Sequence, residues 1–477
     1  MIYPVTSIVE VHHDGIWRPA GELRVLGANK AIFAYREDYV FGPHPLPVSL
    51  TLPVGLWPPA MVEGLIGQQT DQRPPSFVYD LVPQGRGRRF LLDTLQLADS
   101  DDMVMPLVMV GAFNPIGCVR LNTAVAFYEA QAAQNPDAQS TLGFTLDDIN
   151  SHSQGFLDHI ALHAMLAAGT TGVQGVAPKF LLTTNDEGRW FADLALPDVQ
   201  AKEHWLVKLP RGKSDDDRLI LRNEAAYLRV AAACGLRTHH PPMLVREMLF
   251  VRRFDRVVDH GEGGEKSDQS DQRDQHEQGR QRKVIRLHQE SLASLAGQRG
   301  FGIPHSQQSL LDAMRTVVAD PLVDTIEFIK RDVLNLAMRN TDNHARNTAV
   351  QRLPDGRIQL TPLFDFAPMF KDPEIVPRSC HWRSADGVRQ TDWREIITGL
   401  NAPMREREQI AHALHAFASQ VAQLETIARN CGVEEAILQP CLKSIEEQAY
   451  ALALLAEMAP KTTARKTTPR QPAKGAQ

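Results

Sequence analysis

Two carboxylates and an amide stand out in the stretch NTDNHARN and the segment after it. Asp342 and Asn347 are five residues apart. Asp365 follows two extended runs, 348–352 and 357–361, joined by a Pro-Asp-Gly turn. Such a hairpin returns the chain to its start, so Asp365 is expected beside Asp342 and Asn347. One carboxylate can accept a hydroxyl proton while the amide and the other carboxylate offer oxygens to Mg²⁺, a set that suits phosphoryl transfer.

Asp342, Asn347 and Asp365 are spaced like the catalytic loop and the metal-binding motif of protein kinases. The Asp–Asn pair alone is a weak signal, because such pairs arise by chance and often cap helices. The hairpin and the Phe-Asp-Phe run around Asp365 strengthen it. We therefore favour phosphoryl transfer over a purely structural interpretation.

A lysine and a glutamate upstream occur in the order that a nucleotide site needs. Lys208 lies in the run Leu-Val-Lys-Leu-Pro, which predicts a strand, and Glu224 follows on a predicted helix. Such a pair holds nucleotide phosphates in protein kinases. Each residue alone is better explained as an amphipathic or exposed position, but the two in this order favour a nucleotide site. The glycine-bearing loop 172–179 can bring backbone N–H groups to phosphates, and by pattern alone it is also compatible with an ordinary turn.

Composition narrows the class of protein. The chain has 477 residues, enough for about three domains or lobes. Its 51 basic and 57 acidic residues give a net charge of −6, which argues against a nucleic-acid coat or a polybasic membrane binder. Neither a bilayer-spanning apolar stretch nor a secretory signal is recognisable. The five cysteines lack CxxC spacing and the histidines lack zinc-ligand spacing. We expect a cytoplasmic protein with no membrane partner.

Hydrophobic patterning predicts an α+β fold that is β-rich at its beginning and helical at its end. In the first part we predict strands at 8–12, 16–18, 22–25, 31–35 and 48–52, separated by turns at residues such as Gly21. The predicted organisation is a β-rich subdomain (1–122), a helical connection (123–168), a nucleotide-binding region (169–258), a disordered charged insertion (259–283), a helical lobe with the catalytic and metal motifs (284–458) and a flexible basic tail (459–477).

Six segments occur in the order and approximate spacing of a known family. They are GVQGVAPK, WLVKLP, NEAAYLRVAAACGL, FVRRFDR, NTDNHARN and LTPLFDFAP. Through them the chain resembles the HipA family of bacterial toxin kinases, and PLPVSLTLP, FVYDLVPQGRGRRFLL and IGCVRL resemble the N-terminal subdomain of that family. The resemblance spans nearly the whole chain apart from the charged insertion and the tail. It implies a two-lobed, protein-kinase-like fold behind a β-rich N-terminal subdomain.

The resemblance also implies an ATP- and Mg²⁺-dependent serine/threonine protein kinase. In that family's terms Asp342 is the catalytic base, and Asn347 and Asp365 are the Mg²⁺ ligands. The residues implied at the ATP site are Gln174, Gly175, Val176, Ala177, Pro178, Lys179, Lys208, Arg252, Arg253, Phe254, His344 and Phe364. The family phosphorylates a protein, typically an aminoacyl-tRNA synthetase. It is held inactive by a HipB-like DNA-binding antitoxin, so DNA contact is expected to be indirect or weak.

Two positions depart from the family pattern. Gly172 stands where autophosphorylation of a serine commonly silences the enzyme, so this control is either absent or transferred to Thr170 or Thr171. Arg252 stands where the best-known members carry an acidic residue that contacts adenine. These departures and the basic tail leave a second function open, a non-catalytic kinase-like regulator that binds a DNA-bound partner. A small-molecule kinase also stays open, because the motifs do not encode the acceptor.

Overall fold

The computed structural model describes residues 3–57, 72–134, 142–151, 155–156, 179–212, 214–259 and 282–458. Its strands are β1 (Thr6–His13), β2 (Ile16–Gly27), β3 (Lys30–Tyr35), β4 (Val119–Leu121), β5 (Lys179–Thr184), β6 (Trp190–Ala192), β7 (Glu203–Lys208), β8 (Met243–Val245), β9 (Met248–Arg252), β10 (Arg256–Asp259), β11 (Lys283–Arg286), β12 (Gln289–Ser291), β13 (His305–Ser306), β14 (Ala349–Arg352), β15 (Ile358–Leu360) and β16 (Cys380–His381). Its α-helices are Glu37–Val40, Gly85–Thr94, Val104–Gly111, Asn122–Gln134, Leu146–Asn150, Asp215–Ala233, Leu292–Leu295, Gln307–Arg315, Pro321–Ala337, Trp393–Thr398, Met404–Ala422, Leu424–Asn430, Glu435–Leu438 and Leu442–Ala453.

The N-terminal region forms a four-stranded antiparallel sheet in the order β3-β2-β1-β4. β2 is a continuous strand of 12 residues, so the predicted break at Gly21 was wrong. A β-carbon at Gly21 would lie 2.4 Å from the Phe33 ring, which shows that glycine is needed there for close packing and not for a turn. The strand predicted at 48–52 was also wrong, because only an isolated bridge joins Ser49 and Leu52.

Helices close the hydrophobic core of this N-terminal region. The helix Val104–Gly111 is buried along its whole length, which matches its almost continuous apolar sequence. It packs in one core with the inward side chains of the sheet, with the helix Asn122–Gln134 and with the 3₁₀ helix Ser76–Leu81. The 3₁₀ helix also contacts the short helix Leu292–Leu295, more than 200 residues later in the chain. The N-terminal region is therefore packed against the later part of the protein.

A second, five-stranded antiparallel sheet has the order β6-β5-β7-β9-β8, and we call it the central sheet. The runs 180–184 and 190–194, joined by an Asp-Glu-Gly turn, predict a hairpin, which β5 and β6 form. The strand predicted around Lys208 is also confirmed. Across β7 and β9, Leu206 pairs with Val251, and across β5 and β7, Lys179 pairs with Lys208. Because side chains alternate along a strand, Leu206 and Lys208 lie on the same face of the central sheet.

The repeat of Leu221, Ala225, Leu228 and Ala232 predicts a helix over 221–234, and the helix present, Asp215–Ala233, begins six residues earlier. It is called the Glu224 helix below. Ser214 and Asp217 form a capping box, in which each side chain accepts a hydrogen bond from the other residue's backbone N–H. The first turn consists of three aspartates, which suit the positive end of the helix dipole but add no apolar periodicity. The periodic pattern alone therefore places the start too late.

The later part of the chain is a helical lobe around a small sheet. Its helices Pro321–Ala337, Met404–Ala422 and Leu442–Ala453 pack on one another. Their core continues into the Glu224 helix, which contributes Ala226, Leu228 and other buried residues. β14 and β15 form the predicted hairpin, and β12 completes this sheet in the order β12-β14-β15. The α+β prediction is thus confirmed.

Several predicted segments lie outside the described residues. These are the loop 174–178, about half of the helical connection at 123–168, the interior of the charged insertion and the tail 459–477. The two ends of the insertion do lie in strands, because β10 pairs with β11 as an antiparallel hairpin. Among the described helices, none combines the length and the apolarity that crossing a membrane requires.

Candidate active site

Lys208 connects the central sheet, the Glu224 helix and the segment after the β14–β15 hairpin. Its ammonium group lies 2.5 Å from Glu224 Oε1 and also donates to Asp365 Oδ1. Burial alone would lower the pKa of Lys208, but the two carboxylates raise it above its ordinary value. The predicted strand-lysine and helix-glutamate pair is therefore present, and a third charged group completes it.

A second lysine faces the same aspartate. Lys179, the first residue of β5, is buried, and its Nζ lies 3.8 Å from Asp365 Oδ2. Burial lowers the pKa of Lys179, and Asp365 partly opposes that shift. Burial alone would raise the pKa of Asp365. The ammonium groups of Lys179 and Lys208 outweigh burial and hold this pKa below its ordinary value. Asp365 is therefore ionised and can act as an anionic ligand.

Asp342 lies in the loop after the helix Pro321–Ala337. Its backbone N–H donates to Asn340 Oδ1 over 3.3 Å, and its carbonyl accepts from Asn347 Nδ2 over 2.9 Å. Its carboxylate lies 3.5 Å from His344 Nε2. Burial raises the pKa of Asp342, and the His344 ring partly offsets this shift. A carboxylate with a raised pKa, held at a cavity wall, has the properties of a general base.

Asn347 carries an acceptor suited to a metal ion. Its Nδ2 is used by the Asp342 carbonyl, whereas its Oδ1 is buried and has no hydrogen-bond partner in the described part of the chain. Asp342, Asn347 and Asp365 line one cavity of about 480 Å³. Mg²⁺ takes oxygen ligands and is usually held by one or two carboxylates with waters and phosphates. The donor set therefore fits Mg²⁺, which Asn347 Oδ1 and the Asp365 carboxylate could hold.

The backbone of Asp365 has a positive φ of 51°. Non-glycine residues seldom adopt this left-handed conformation, which costs on the order of 1 kcal/mol and concentrates at functional sites. The Asn340 Nδ2 donates to the Asp365 carbonyl over 3.5 Å. Asn340 thus contacts the backbones of both Asp342 and Asp365 and joins the loop to the segment after the hairpin.

A cavity of about 870 Å³ opens between the central sheet and the helical lobe. Apolar side chains cover much of its wall, as a planar base requires. They include Leu206 and Val251 from the sheet and Phe364 from the segment after the hairpin. The ring of Phe254 lies 6.0 Å from that of Phe364. Lys208 and Asp365 lie at the edge of this cavity, so a nucleotide base here would have its phosphates near the charged groups.

Arg252 and Arg253 border this cavity, but their guanidinium groups have other partners. The Arg252 guanidinium lies 3.4 Å from Glu203 and 3.2 Å from the His240 ring. The Arg253 guanidinium is buried and donates to Asp193 and Asp255, both at 2.8 Å. Because both guanidinium groups have these partners, positions 252 and 253 offer a base their backbone, beside the Phe254 ring.

A third cavity, of about 1040 Å³, adjoins the charged groups. Lys179, Lys208, Asp342, His344 and Asp365 all line it. The structure thus gathers these five predicted residues around one space, while Arg252, Arg253, Phe254 and Phe364 line the apolar cavity. The remaining ATP-site residues, 174–178, lie outside the described part of the chain.

Sequence reasoning missed several residues of these walls. Leu206 and Val251 were recognisable in principle, because each is an apolar strand position beside a residue already selected. Gln289, Asp80 and Arg346 line the apolar cavity as well. Asp80 and Gln289 come from distant parts of the chain, and no local pattern indicates that they reach this site.

Comparisons with known proteins place the chain in a family. The model for the HipA-like C-terminal domain matches residues 171–431, more than half of the chain. Among solved structures, the chain is similar to HipA of Shewanella oneidensis MR-1, solved with HipB and its operator DNA, with a TM-score of 0.53, 16% identity, and coverage of 94% of this chain and 97% of that one. It also matches the proinflammatory kinase CtkA of Helicobacter pylori, with a TM-score of 0.34, 13% identity, and coverage of 54% and 89%. No curated protein matches the sequence. The family match and the shared fold agree with the motifs described above, and the chain therefore belongs to the HipA family.

Proposed function

We propose that this protein is an ATP- and Mg²⁺-dependent serine/threonine protein kinase of the HipA toxin type. The observation that carries the proposal is the contact of Lys208 with both Glu224 and Asp365 beside the cavity that Asp342 and Asn347 line. A decayed kinase usually lacks one of these groups. The complete set therefore favours catalysis over the alternative of a non-catalytic regulator.

Each residue has a defined part in the proposed reaction. The adenine base of ATP occupies the apolar cavity, and Lys208 and Lys179 bind phosphate oxygens. Mg²⁺, when held by Asn347 and Asp365, neutralises phosphate charge. Asp342 orients a serine or threonine hydroxyl and accepts its proton as the oxygen forms a bond to the γ-phosphorus. The bond between that phosphorus and the bridging oxygen breaks, and ADP leaves with the electron pair.

The proposed partners follow from family membership. A HipB-like DNA-binding antitoxin is the proposed inhibitor, and the Shewanella relative was solved with such a partner and operator DNA. The net charge of −6 supports weak or indirect DNA contact for this chain itself. The acceptor is proposed to be a protein, with an aminoacyl-tRNA synthetase as the family's usual target, and the proposed compartment is the cytoplasm.

Radiolabelled ATP tests this proposal. Incubated with Mg²⁺ and a bacterial lysate, the wild type should transfer phosphate to serine or threonine of a protein. Asp342→Ala should lower the rate by at least about a hundredfold, because the general base is lost. Asp355→Ala is the matched control, since Asp355 lies in the exposed turn of the same hairpin. Equal labelling by wild type and Asp342→Ala would refute the kinase assignment, and label only in small molecules would refute the protein acceptor.

A further inference from the structure

Arg346, in the loop between Asp342 and Asn347, has its main partner in the N-terminal region. Its Nη1 donates to Asp80 Oδ1, although 266 residues separate the two in sequence. Its Nη2 donates to the Gly300 carbonyl over 3.1 Å, and its guanidinium lies 5.1 Å from the centre of the Phe301 ring. The Arg346 side chain is only 4% exposed, so its charge depends on Asp80 for compensation.

Asp80 binds a second group next to the same loop. Its Oδ2 accepts from the Ser291 N–H over 2.9 Å, and its Oδ1 accepts from Ser291 Oγ over 2.7 Å. Ser291 caps the helix Leu292–Leu295. The first two N–H groups of that helix donate to the loop, from Leu292 to the Thr348 carbonyl over 2.9 Å and from Ala293 to the Ala345 carbonyl over 3.2 Å. Asp80 therefore reaches the loop by two routes, one through Arg346 and one through the helix cap.

The opposite side of the loop is held within the helical lobe. Asn343 Nδ2 donates to the Cys380 carbonyl over 2.7 Å, and Asn343 Oδ1 accepts from the Ser379 N–H over 3.1 Å. Asn343 and Arg346 are thus held by partners on two sides of the loop, and they lie between Asp342 and Asn347, which line the cavity of about 480 Å³. Arg346 is held by Asp80, which lies outside residues 171–431, the stretch that matches the family model.

We propose that Asp80 is a positioning residue for phosphoryl transfer, acting through Arg346 to hold Asp342 and Asn347 in place. The inference rests on the proposed function and assigns to the N-terminal region a part in catalysis. Arg346 is bonded directly to Asn347 in the chain, and the Asn347 amide holds the Asp342 carbonyl. A shift of Arg346 therefore moves both the metal ligand and the base, and displacements of about 1 Å can cost up to about a hundredfold in rate.

Asp80→Asn tests the proposal because it preserves the shape of the side chain and removes the charge. We expect kcat to fall about tenfold while KM for ATP changes less than about twofold, since asparagine keeps the shape of Asp80 in the cavity wall and the apolar side chains Leu206, Val251 and Phe364 are unchanged. Arg346→Gln should behave alike. The double variant should be no slower than the slower single variant, because both changes break one interaction. Amide hydrogen exchange across residues 340–348 should become faster in all three variants.

Glu406→Gln supplies a matched control. Glu406 pairs with Arg315 over 2.6 Å within the helical lobe, and the two side chains are 18% and 16% exposed, comparable to the 19% of Asp80. Breaking this pair should lower the melting temperature without changing kcat or exchange in residues 340–348. Unchanged kcat in Asp80→Asn, or rate losses that multiply in the double variant, would overturn the proposal. If the wild type transfers no phosphate, the proposed function fails. Amide exchange still tests the positioning role in that case, because an unchanged exchange rate at 340–348 in Asp80→Asn would overturn it.

Discussion

Two aspartates of the candidate site have opposite electrostatic environments. Burial raises the pKa of Asp342, and His344, Lys179 and the Asn347 side chain offset this shift only in part. Burial acts on Asp365 too, but the Lys179 and Lys208 ammonium groups outweigh it and lower the pKa of this carboxyl. Pairs of acids whose pKa values are driven apart commonly divide acid–base and electrostatic roles. The division here agrees with the proposed roles, a proton acceptor at Asp342 and an ionised metal ligand at Asp365.

These opposite shifts predict opposite effects of neutral substitutions on stability. The folded-state pKa of Asp342 lies above its unfolded value, so ionisation at pH 7 opposes folding, and Asp342→Asn should raise the melting temperature by about 1–2 °C. Asp365→Asn leaves Lys179 without its carboxylate and Lys208 with Glu224 alone, and should lower the free energy of unfolding by on the order of 2–3 kcal/mol. Thermal and urea denaturation without nucleotide measure both effects.

Asp355→Asn, in the exposed hairpin turn, is the control for these two variants and should change stability little. A shift of the same sign for Asp342→Asn and Asp365→Asn would contradict the electrostatic assignment. Because no nucleotide or metal is added, the result does not depend on the proposed reaction.

The residues that the sequence reveals are those held by local structure. Asp342, Asn347 and Asp365 meet because a short hairpin joins them, and Lys208 and Glu224 meet because one strand is followed directly by one helix. Asp80 is different, because it reaches Arg346 only after the N-terminal region packs on the helical lobe. The spacing of chemical groups within one supersecondary unit is encoded locally, whereas contacts between such units depend on the whole fold.

At the scale of single elements, the Glu224 helix is fixed to the helical lobe by its polar face. Asn223 Nδ2 donates to Glu434 Oε1 over 3.0 Å, and the Glu434 N–H donates back to Asn223 Oδ1 over 2.9 Å. The Tyr227 hydroxyl donates to the Met338 carbonyl over 2.8 Å. These contacts hold the helix at the position in which Glu224 reaches Lys208, so the ion pair is favoured before any ligand binds.

Asn223→Ala should therefore weaken both the fold and the nucleotide site. Loss of the three hydrogen bonds that this buried side chain makes, one with the Leu219 carbonyl and two with Glu434, should cost about 1–3 kcal/mol in the free energy of unfolding. Freedom of the helix to move Glu224 away from Lys208 should raise the Kd for ATP by about threefold to tenfold. Denaturation and calorimetric titration with ATP and Mg²⁺ measure the two effects.

The neighbouring residue provides the control for that variant. Arg222 contacts the same Glu434 at 3.1 Å, but both side chains are about two-fifths exposed, at 41% and 42%. Exposed pairs contribute little, so Arg222→Ala should cost less than about 0.5 kcal/mol and leave the Kd for ATP unchanged. Equal losses in Arg222→Ala and Asn223→Ala would show that the buried amide does not anchor the helix.

Element boundaries were predicted less well than element types. The β14–β15 hairpin and the central strands follow from alternating patterns bounded by turn residues. The continuous β2 does not, because Gly21 signals a turn locally and is needed instead for the Phe33 ring. The early start of the Glu224 helix depends on Ser214 and a charged first turn, which hydrophobic periodicity cannot register. Tertiary packing and capping decided these cases.

At the scale of the whole molecule, buried charges join the N-terminal region to the central sheet. Asp255 accepts from the Gly117 N–H over 2.8 Å, and Arg256 donates to the carbonyls of Gly117 and Pro115, both over 2.9 Å. Arg253 connects Asp255 to Asp193. With the contact between Asp80 and Arg346, these bonds make the N-terminal region part of the structure around the apolar cavity.

This network predicts how stability depends on pH. Although burial alone would raise them, Arg253 and its neighbours hold the pKa values of Asp193 and Asp255 below the ordinary value. A depressed folded-state pKa stabilises fully above the ordinary carboxyl pKa of about 4, and this contribution is lost as pH falls below it. The free energy of unfolding should therefore begin to decrease near pH 5 and fall most steeply below about pH 4, as urea titrations at fixed pH would show.

Asp255→Asn isolates the contribution of the network. At pH 7 it should lower the free energy of unfolding by on the order of 3–5 kcal/mol, because Arg253 and Arg256 stay buried with fewer partners. It should also reduce the acid dependence, since one of the carboxyls that must be protonated is gone. Asp186→Asn, at a pair with Arg282 whose aspartate is 56% exposed, should do neither. Asp255→Asn could instead show the same acid dependence of stability as the wild type. Other carboxyls would then govern acid unfolding, and the contact between the N-terminal region and the central sheet would not depend on the charge of Asp255.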